Sequence, residues 1–161
     1  MTKIMFVCHG NICRSPMAEF IFKKLVDDKG LSSEFVIKSS ATSTEEIIRG
    51  IGNHIYPPAA RELHRHSIPH TDRRATQLSI NDLDKYDLFI GMDSANIRNM
   101  NRILGEGAKE KIFRLMDFTS RGGDVADPWY SDRFDIAYRD IYDGCSALLN
   151  KLITNSKFNN M

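Results

Sequence analysis

The sequence predicts a three-layer α/β fold in which helices cover both faces of a parallel sheet. Short apolar runs alternate with helix-like stretches along the chain, and this alternation is typical of parallel sheets. The chain has 161 residues, of which 42% are hydrophobic and 27% charged, as expected for a globular protein with a sizeable core. Because no repeat or linker interrupts the pattern, we predict one domain over residues 1–154 and a polar tail at residues 155–161.

The first strand and the first helix are joined by a tight loop. Lys3–Cys8 is a short apolar run that predicts a buried strand, and residues 9–13 form the loop. The helix is expected to open at Arg14. Ser15 is suited to the N-cap and Pro16 to the first helical position, where the missing N–H of proline is not needed.

The later elements follow the same alternation. The first helix continues with helical spacing to Lys29, and Gly30 is a stop signal. Further strands are predicted at Phe35–Ser39, Leu88–Met92 and Lys111–Met116, further helices at Pro57–His66, Ala95–Leu104 and Phe134–Ile153, and a polar loop at Asp117–Asp132. Ligands bind beyond the carboxyl ends of strands in such sheets, so the loop after the first strand is the candidate site.

Composition excludes several functional classes. The chain carries 22 Lys and Arg against 21 Asp and Glu. It therefore lacks the excess of basic residues that is typical of a nucleic-acid-binding protein. No apolar run reaches the roughly 20 residues of a membrane span, and no signal peptide is expected before the first strand. Three cysteines are too few for a disulfide scaffold, and we therefore expect a reducing, cytoplasmic location.

Cys8, Arg14 and Ser15 form the strongest candidate site. The Cys-x5-Arg spacing lets a semicircular loop bring a thiol and a guanidinium to one anion, and the helix N-terminus adds backbone N–H groups. Gly10 permits close backbone approach, and the hydroxyl of Ser15 can donate to a thiolate. These surroundings favour an ionised thiol and a bound phosphate dianion. The alternative is a small buried apolar residue, the usual role of a free cysteine.

The segment Val7–Pro16, VCHGNICRSP, resembles the signature of the low-molecular-weight protein tyrosine phosphatases. Ser39–Thr42, Gly91–Asn96 and Asp127–Tyr130 fall in the order and spacing of that family, so the likeness extends over Lys3–Leu152. The resemblance implies a flavodoxin-like sheet of order 2-1-3-4. It also implies metal-independent hydrolysis of phosphotyrosine monoesters through a phosphocysteine intermediate, with no cofactor.

The resemblance assigns the catalytic roles. It implies that Cys8 is the nucleophile, that Arg14 binds and stabilises the phosphate, and that Asp127 is the general acid. From spacing alone, an aspartate before proline is more readily a turn residue. Trp129 and Tyr130 could be surface or core aromatics, whereas the resemblance makes them walls around a phosphotyrosine ring.

The rest of the predicted phosphate-binding loop consists of His9, Gly10, Asn11, Ile12, Cys13 and Ser15. By resemblance, Asn11, Ser15 and Ser39 hold this loop in shape. Cys13 either fills space or, as the family implies, captures oxidised Cys8 as a reversible disulfide.

Several departures from the family pattern concern substrate preference and loop support. His9 stands where the family usually has an aliphatic residue, and Glu45 stands near the place of an aromatic wall residue. The stretch Glu46–Ile55 is longer than usual, and the position of a supporting histidine falls near Asp72 or Arg73. An acidic Glu45 at the pocket rim is expected to disfavour very acidic peptides.

Three alternatives remain open at this point. A phosphoarginine phosphatase would tend to carry threonine in place of Ile12 and a less aromatic acid loop. A thiol-dependent arsenate reductase would need further cysteines on a mobile segment, and there are none between Ala75 and Ile97. A non-catalytic phosphate-binding module would need neither Cys8 nor Asp127.

The expected partners are phosphotyrosine-containing proteins or small aryl phosphates, with inhibition by free phosphate or vanadate. Neither nucleic acid nor a membrane span is expected. We predict no metal site, because no cysteine or carboxylate spacing completes a ligand set with His64, His66 and His70.

Overall fold

A parallel four-stranded sheet forms the centre of the computed structural model, which describes residues 1–159 and the side chains of residues 1–155. The strands are β1 (Thr2–Cys8), β2 (Phe35–Ala41), β3 (Ile47–Ile48), β4 (Ile51–Gly52), β5 (Leu88–Gly91) and β6 (Ile112–Arg114). The main sheet has the order β2-β1-β5-β6, while β3 and β4 form a separate antiparallel hairpin. The predicted parallel sheet and its order 2-1-3-4 are confirmed.

Helices cover both faces of this sheet. They are α1 (Arg14–Asp28), α2 (Pro57–Arg65), α3 (Ser94–Leu104), α4 (Pro128–Ser131) and α5 (Phe134–Asn159). Alternate side chains of β1 point to opposite faces: Ile4 and Phe6 join the core beneath α1 and α5, whereas Met5 and Val7 join a second core with Met100 of α3. Burial on both faces explains why β1 reads as a continuous apolar run.

The carboxyl end of β1 is the point where the connections diverge. β1 lies between β2 and β5, and the chain passes through α1 to β2 on one side before reaching β5 on the other. Cys8 is in register with Ala41 of β2, and Val7 with Gly91 of β5. The loop after Cys8 therefore lies in the crevice that such a switch point opens.

The start of α1 differs from the prediction. Cys13 is the N-cap residue and makes no side-chain capping bond, while Ser15 is the second residue of the helix. The predicted N-cap role of Ser15 and first-position role of Pro16 are therefore wrong. The reason is that the hydroxyl of Ser15 contacts Cys8 and Asn11 instead of the helix backbone.

The sequence pattern does not predict the hairpin β3–β4, which lies within the stretch Glu46–Ile55 that is longer than usual for the family. Arg49 and Gly50 both have positive φ, 53° and 79°, as the central residues of a type I′ hairpin turn require.

The predicted loop Asp117–Asp132 contains the short helix α4. The last helix passes its expected end at Ile153, so the predicted tail at residues 155–161 begins inside α5; residues 160–161 lie outside the described residues.

Within the described part of the chain, none of the helices combines the length and the apolar character needed to cross a bilayer.

Close packing between α5 and Leu115 generates a stability prediction. A Cβ atom added at Gly144 would lie 2.5 Å from Cγ of Leu115. Overpacking costs about 1–3 kcal/mol and alanine returns up to about 1 kcal/mol of helix propensity, so Gly144→Ala should lower the free energy of unfolding by about 1–2 kcal/mol. Chemical denaturation measures this. In the control Gly107→Ala, the new Cβ would be 3.8 Å from its nearest neighbour, and we expect no comparable loss. Equal stabilities of the two variants would contradict the packing argument.

Candidate active site

Cys8 ends β1 with its sulfur surrounded by hydrogen-bond donors. The side chain is buried, and Sγ lies 3.0 Å from Oγ of Ser15. The backbone N–H groups of Asn11 and Ser15 donate to the same sulfur at 3.3 and 3.4 Å. Because donors at a helix N-terminus stabilise negative charge, this ring favours a thiolate.

Asn11 orients the hydroxyl of Ser15. Asn11 is fully buried and has a left-handed backbone, with φ of 60°, which asparagine tolerates better than most residues. Its Nδ2 donates to Oγ of Ser15 at 2.7 Å. Since that oxygen already accepts from Asn11, its own proton is free to point at the sulfur of Cys8.

Arg73 holds Asn11 from behind. Its Nη1 donates to the carbonyl oxygen of Asn11 at 2.6 Å, and its Nη2 donates to Oδ1 of Asn11 and, at 3.3 Å, to Oγ of Ser39. Burial lowers the pKa of Arg73, while the charges of Glu19 and Cys8 oppose that effect. Of the two residues at the expected supporting position, the structure therefore selects Arg73; Asp72 contacts His54 instead.

Ser39 and Glu19 extend this support into α1. Oγ of Ser39 donates to Oε1 of Glu19 at 2.6 Å, and Nζ of Lys23 donates to Oε2 of the same carboxylate, also at 2.6 Å. Ser39, predicted to hold the loop in shape, thus lies between Glu19 and Arg73. Sequence reasoning missed Glu19; the available signal was a carboxylate within the apolar positions of α1, where a buried charge requires partners.

Arg14 is fixed by groups from two distant segments. Its Nη1 donates to Oδ2 of Asp93 at 2.7 Å and to the carbonyl oxygen of Val125 at 2.8 Å. Burial opposes the charge of Arg14, but the charges of Cys8, Asp127 and Asp93 raise its pKa above the ordinary value. The guanidinium is therefore a permanent cation in a fixed position, suited to binding an oxyanion.

Asp93 was not singled out from the sequence, although it lies in a segment that resembles the family. Its Oδ1 accepts from the backbone N–H of Asn96 at 2.8 Å and caps α3, while its Oδ2 accepts from Arg14. An aspartate at a predicted helix start was the available signal, but capping alone accounts for such a residue.

Asp127 makes the turn contact that its spacing predicts, and it also borders the cleft, where the family resemblance implies a general acid. Its Oδ1 accepts from the backbone N–H of Trp129 at 3.0 Å and caps α4. Its Oδ2 lies 3.5 Å from Nη2 of Arg14, and 28% of the side chain is exposed. A carboxyl group in this position is open to solvent and borders the anion site.

The structure brings the predicted residues together around one cleft. Its lining comprises residues 8–14, Glu45, Glu46, Asp127, Trp129 and Tyr130, while Ser15 and Ser39 support the loop from behind. The ring centroids of Trp129 and Tyr56 lie 5.0 Å apart. The backbone N–H of Tyr56 donates to the carbonyl oxygen of Ile12 at 2.8 Å. The aromatic side of the cleft is thus tied to the loop.

Cys13 differs from Cys8 in its electrostatic surroundings. Burial, followed by the charges of Cys8 and Asp127, raises the pKa of Cys13, and burial raises the pKa of Cys145. All three cysteines are free, so a resolving role for Cys13 stays a prediction. In the described part of the chain, no three His, Cys, Asp or Glu side chains gather as metal ligands would.

Selective alkylation tests this difference between the thiols. A raised pKa keeps Cys13 and Cys145 protonated and unreactive at neutral pH, whereas the donor ring favours the reactive thiolate of Cys8. We expect iodoacetamide to label Cys8 alone in the native protein and all three cysteines after denaturation, as read by peptide mass spectrometry. Inorganic phosphate should slow the labelling. Labelling of Cys13 as fast as Cys8 would contradict this account.

Comparisons with known proteins identify the family of this chain. The family model described as low molecular weight phosphotyrosine protein phosphatase matches residues 3–158. A low molecular weight phosphotyrosine protein phosphatase of Schizosaccharomyces pombe is 38% identical over 160 residues, which cover 94% of this chain and 99% of that protein.

Two solved structures show the same fold. The low molecular weight protein tyrosine phosphatase SP-PTP of Streptococcus pyogenes is 36% identical with a TM-score of 0.84, covering 94% of this chain and 93% of that one. YfkJ of Bacillus subtilis is 35% identical with a TM-score of 0.86, covering 96% of each chain. With a family model matched over nearly its whole length, this protein belongs to the low molecular weight phosphotyrosine protein phosphatase family.

Proposed function

We propose that this protein hydrolyses phosphotyrosine monoesters, in proteins or in small aryl phosphates, through a phosphocysteine intermediate. The observation that carries the proposal is the ring of donors around the sulfur of Cys8, in one cleft with Arg14 and Asp127. A nucleophile, an oxyanion-binding cation and a proton donor are the parts that this reaction requires. Family membership supports the same conclusion.

In the first step, the substrate phosphate binds the loop N–H groups of residues 10–15 and the guanidinium of Arg14. The sulfur of Cys8 attacks phosphorus in line, so that a P–S bond forms as the P–O bond to the phenol breaks. Asp127 gives its proton to the departing phenolate oxygen. The loop N–H groups and Arg14 stabilise the charge on the equatorial oxygens throughout.

In the second step, water attacks the phosphocysteine. The carboxylate of Asp127 accepts a proton from that water, the P–S bond breaks, and the thiolate of Cys8 leaves with inorganic phosphate as product. Because the site binds the product, free phosphate should inhibit, as should vanadate. No step uses a metal or another cofactor.

The aromatic side of the cleft supports phosphotyrosine as the substrate class. Trp129 and Tyr130 line the cleft, with 54% and 87% of their surfaces exposed, and can flank a flat ring. Ile12 supplies an apolar surface in the same cleft. Phosphoserine is too short to bring its phosphate down to Cys8 along such walls.

The other candidate functions lack comparable support. An arsenate reductase would relay a disulfide through further cysteines, yet Cys145 is buried in α5 and residues 75–97 contain none.

We place the protein in a reducing compartment such as the cytoplasm, since all three of its cysteines are free. Rates on phosphotyrosine, phosphoserine and phosphoarginine compare the remaining substrate classes directly.

The variant Cys8→Ser separates an enzyme from a phosphate-binding module. We expect turnover of p-nitrophenyl phosphate to fall to background, because the hydroxyl of serine is a far weaker nucleophile than a thiolate. A phosphotyrosyl peptide should still bind, as measured by calorimetry, since Arg14 and the loop N–H groups remain. Unchanged phosphate release would overturn the assignment of the nucleophile.

The role of Asp127 predicts a dependence on the leaving group. Asp127→Asn should lower kcat on phenyl phosphate by about 10²–10⁴-fold, because a poor leaving group needs the proton, and by less on p-nitrophenyl phosphate. Asp84→Asn removes the same charge from an exposed position and serves as the matched control. Equal losses on the two esters would count against Asp127 as the acid.

Arg73 is proposed as a positioning residue that acts through Asn11. Arg73→Lys keeps the charge but loses the fork that binds both oxygens of Asn11, so kcat should fall by about 10-fold. The matched control is Arg74→Lys at the neighbouring arginine, whose side chain donates to the carbonyl of Gly52 at 3.1 Å. A purely structural role would instead lower the melting temperature without changing the kcat of the folded enzyme.

A further inference from the structure

Two adjacent carboxylates, Glu45 and Glu46, line the same cleft as Cys8 and Arg14; we call this pair the acidic rim. The side chain of Glu45 is 69% exposed and therefore accessible to a bound partner. Glu46 is half-buried, and its Oε2 accepts from Nδ2 of Asn53 at 2.7 Å.

The acidic rim is attached to the catalytic loop through the backbone. The N–H of Ser43 donates to the carbonyl of His9 at 3.0 Å, and the N–H of Asn53 donates to the carbonyl of Glu46 at 2.8 Å. The carbonyl of Asn53 in turn accepts from the N–H of Ala75 at 2.8 Å. The hairpin β3–β4 between these anchors keeps the two carboxylates at a fixed place beside the cleft.

The charge of the acidic rim is only partly balanced. Glu45 contacts Nε2 of His9 at 3.0 Å and, among the described side chains, forms no ion pair with lysine or arginine. Among the side chains that the structure describes, Glu46 contacts the neutral amide of Asn53 and forms no ion pair with lysine or arginine. Arg14 is already committed to Asp93 and, in catalysis, to the phosphate.

From these contacts we infer that the enzyme prefers phosphotyrosines flanked by lysine or arginine and discriminates against flanking aspartate or glutamate. The inference rests on the proposed function and names its substrate class. A flanking cation can pair with Glu45 or Glu46 while the phosphate occupies the loop, whereas a flanking carboxylate is repelled. Exposed pairs are weak, so we expect an effect of about two- to five-fold in kcat/KM for each charge.

Three phosphotyrosyl peptides test the inference. They have equal length and differ only in carrying lysine, glutamine or glutamate on either side of the phosphotyrosine. We expect kcat/KM to decrease from the lysine to the glutamine to the glutamate peptide, and the differences to shrink at high salt because exposed charges are screened. The lysine-to-glutamate ratio is internal to each protein, so a general loss of activity cancels.

Variants of the acidic rim locate the effect. The double change Glu45→Gln and Glu46→Gln should bring the ratio close to one, and His9→Gln should raise it by removing the imidazole that pairs with Glu45. Glu110→Gln, at an exposed position just before β6 and therefore at the opposite edge of the sheet, should leave the ratio unchanged.

The outcomes are distinguishable. Equal kcat/KM for the three peptides, or a ratio that survives in the double variant, would overturn the inference while leaving the proposed function intact. If none of the peptides is hydrolysed, the proposed function fails and the inference fails with it.

Discussion

The thiolate that the proposed mechanism requires at Cys8 needs donors that cannot move away, and a hydrogen-bonded ring surrounds this sulfur. An isolated charge is expensive to bury, but Sγ of Cys8 has the N–H groups of Asn11 and Ser15 and the hydroxyl of Ser15 around it. These donors stay in place because β1 ends and α1 begins on either side of the loop. The parallel sheet matters to the site mainly because it fixes this junction.

Two networks from different parts of the chain hold the ring. On one side, Arg73 fixes Asn11, which in turn orients Ser15 toward the sulfur. On the other side, Asp93 and the carbonyl of Val125 fix Arg14. Because buried polar groups are stable only when their partners are satisfied, such networks favour one conformation of the loop over all others. Folding therefore fixes the positions of the phosphate-binding groups before the substrate binds.

The sequence could predict the parts of this design that are local. Alternating apolar and helical patterns revealed the sheet, and the spacing of Cys8 and Arg14 revealed the loop, because both signals depend on neighbouring residues. Asp127 is different, since its distance along the chain from Cys8 gives no pattern and only the family resemblance assigned it a role.

The family resemblance indicated the position of Arg73, but the hydrogen-bond partners of the supporting residues could not be predicted because they lie far apart in sequence. Arg73 contacts Asn11, and Glu19 contacts Ser39, through side-chain hydrogen bonds that leave no periodic signal. The hairpin around Arg49 and Gly50 was missed because strands of two residues are too short to show alternation. The predicted N-cap role of Ser15 was wrong because its hydroxyl contacts the sulfur of Cys8 instead of the helix backbone.

The charge state of the Cys8 sulfur in the folded protein at neutral pH tests this account most directly. Thiolates absorb in the ultraviolet where thiols do not, so the difference spectrum between the unaltered protein and its Cys8→Ser variant reports that state. We predict a difference equal to one thiolate per molecule. A flat difference spectrum at neutral pH would mean that the sulfur is protonated, and would contradict the central claim.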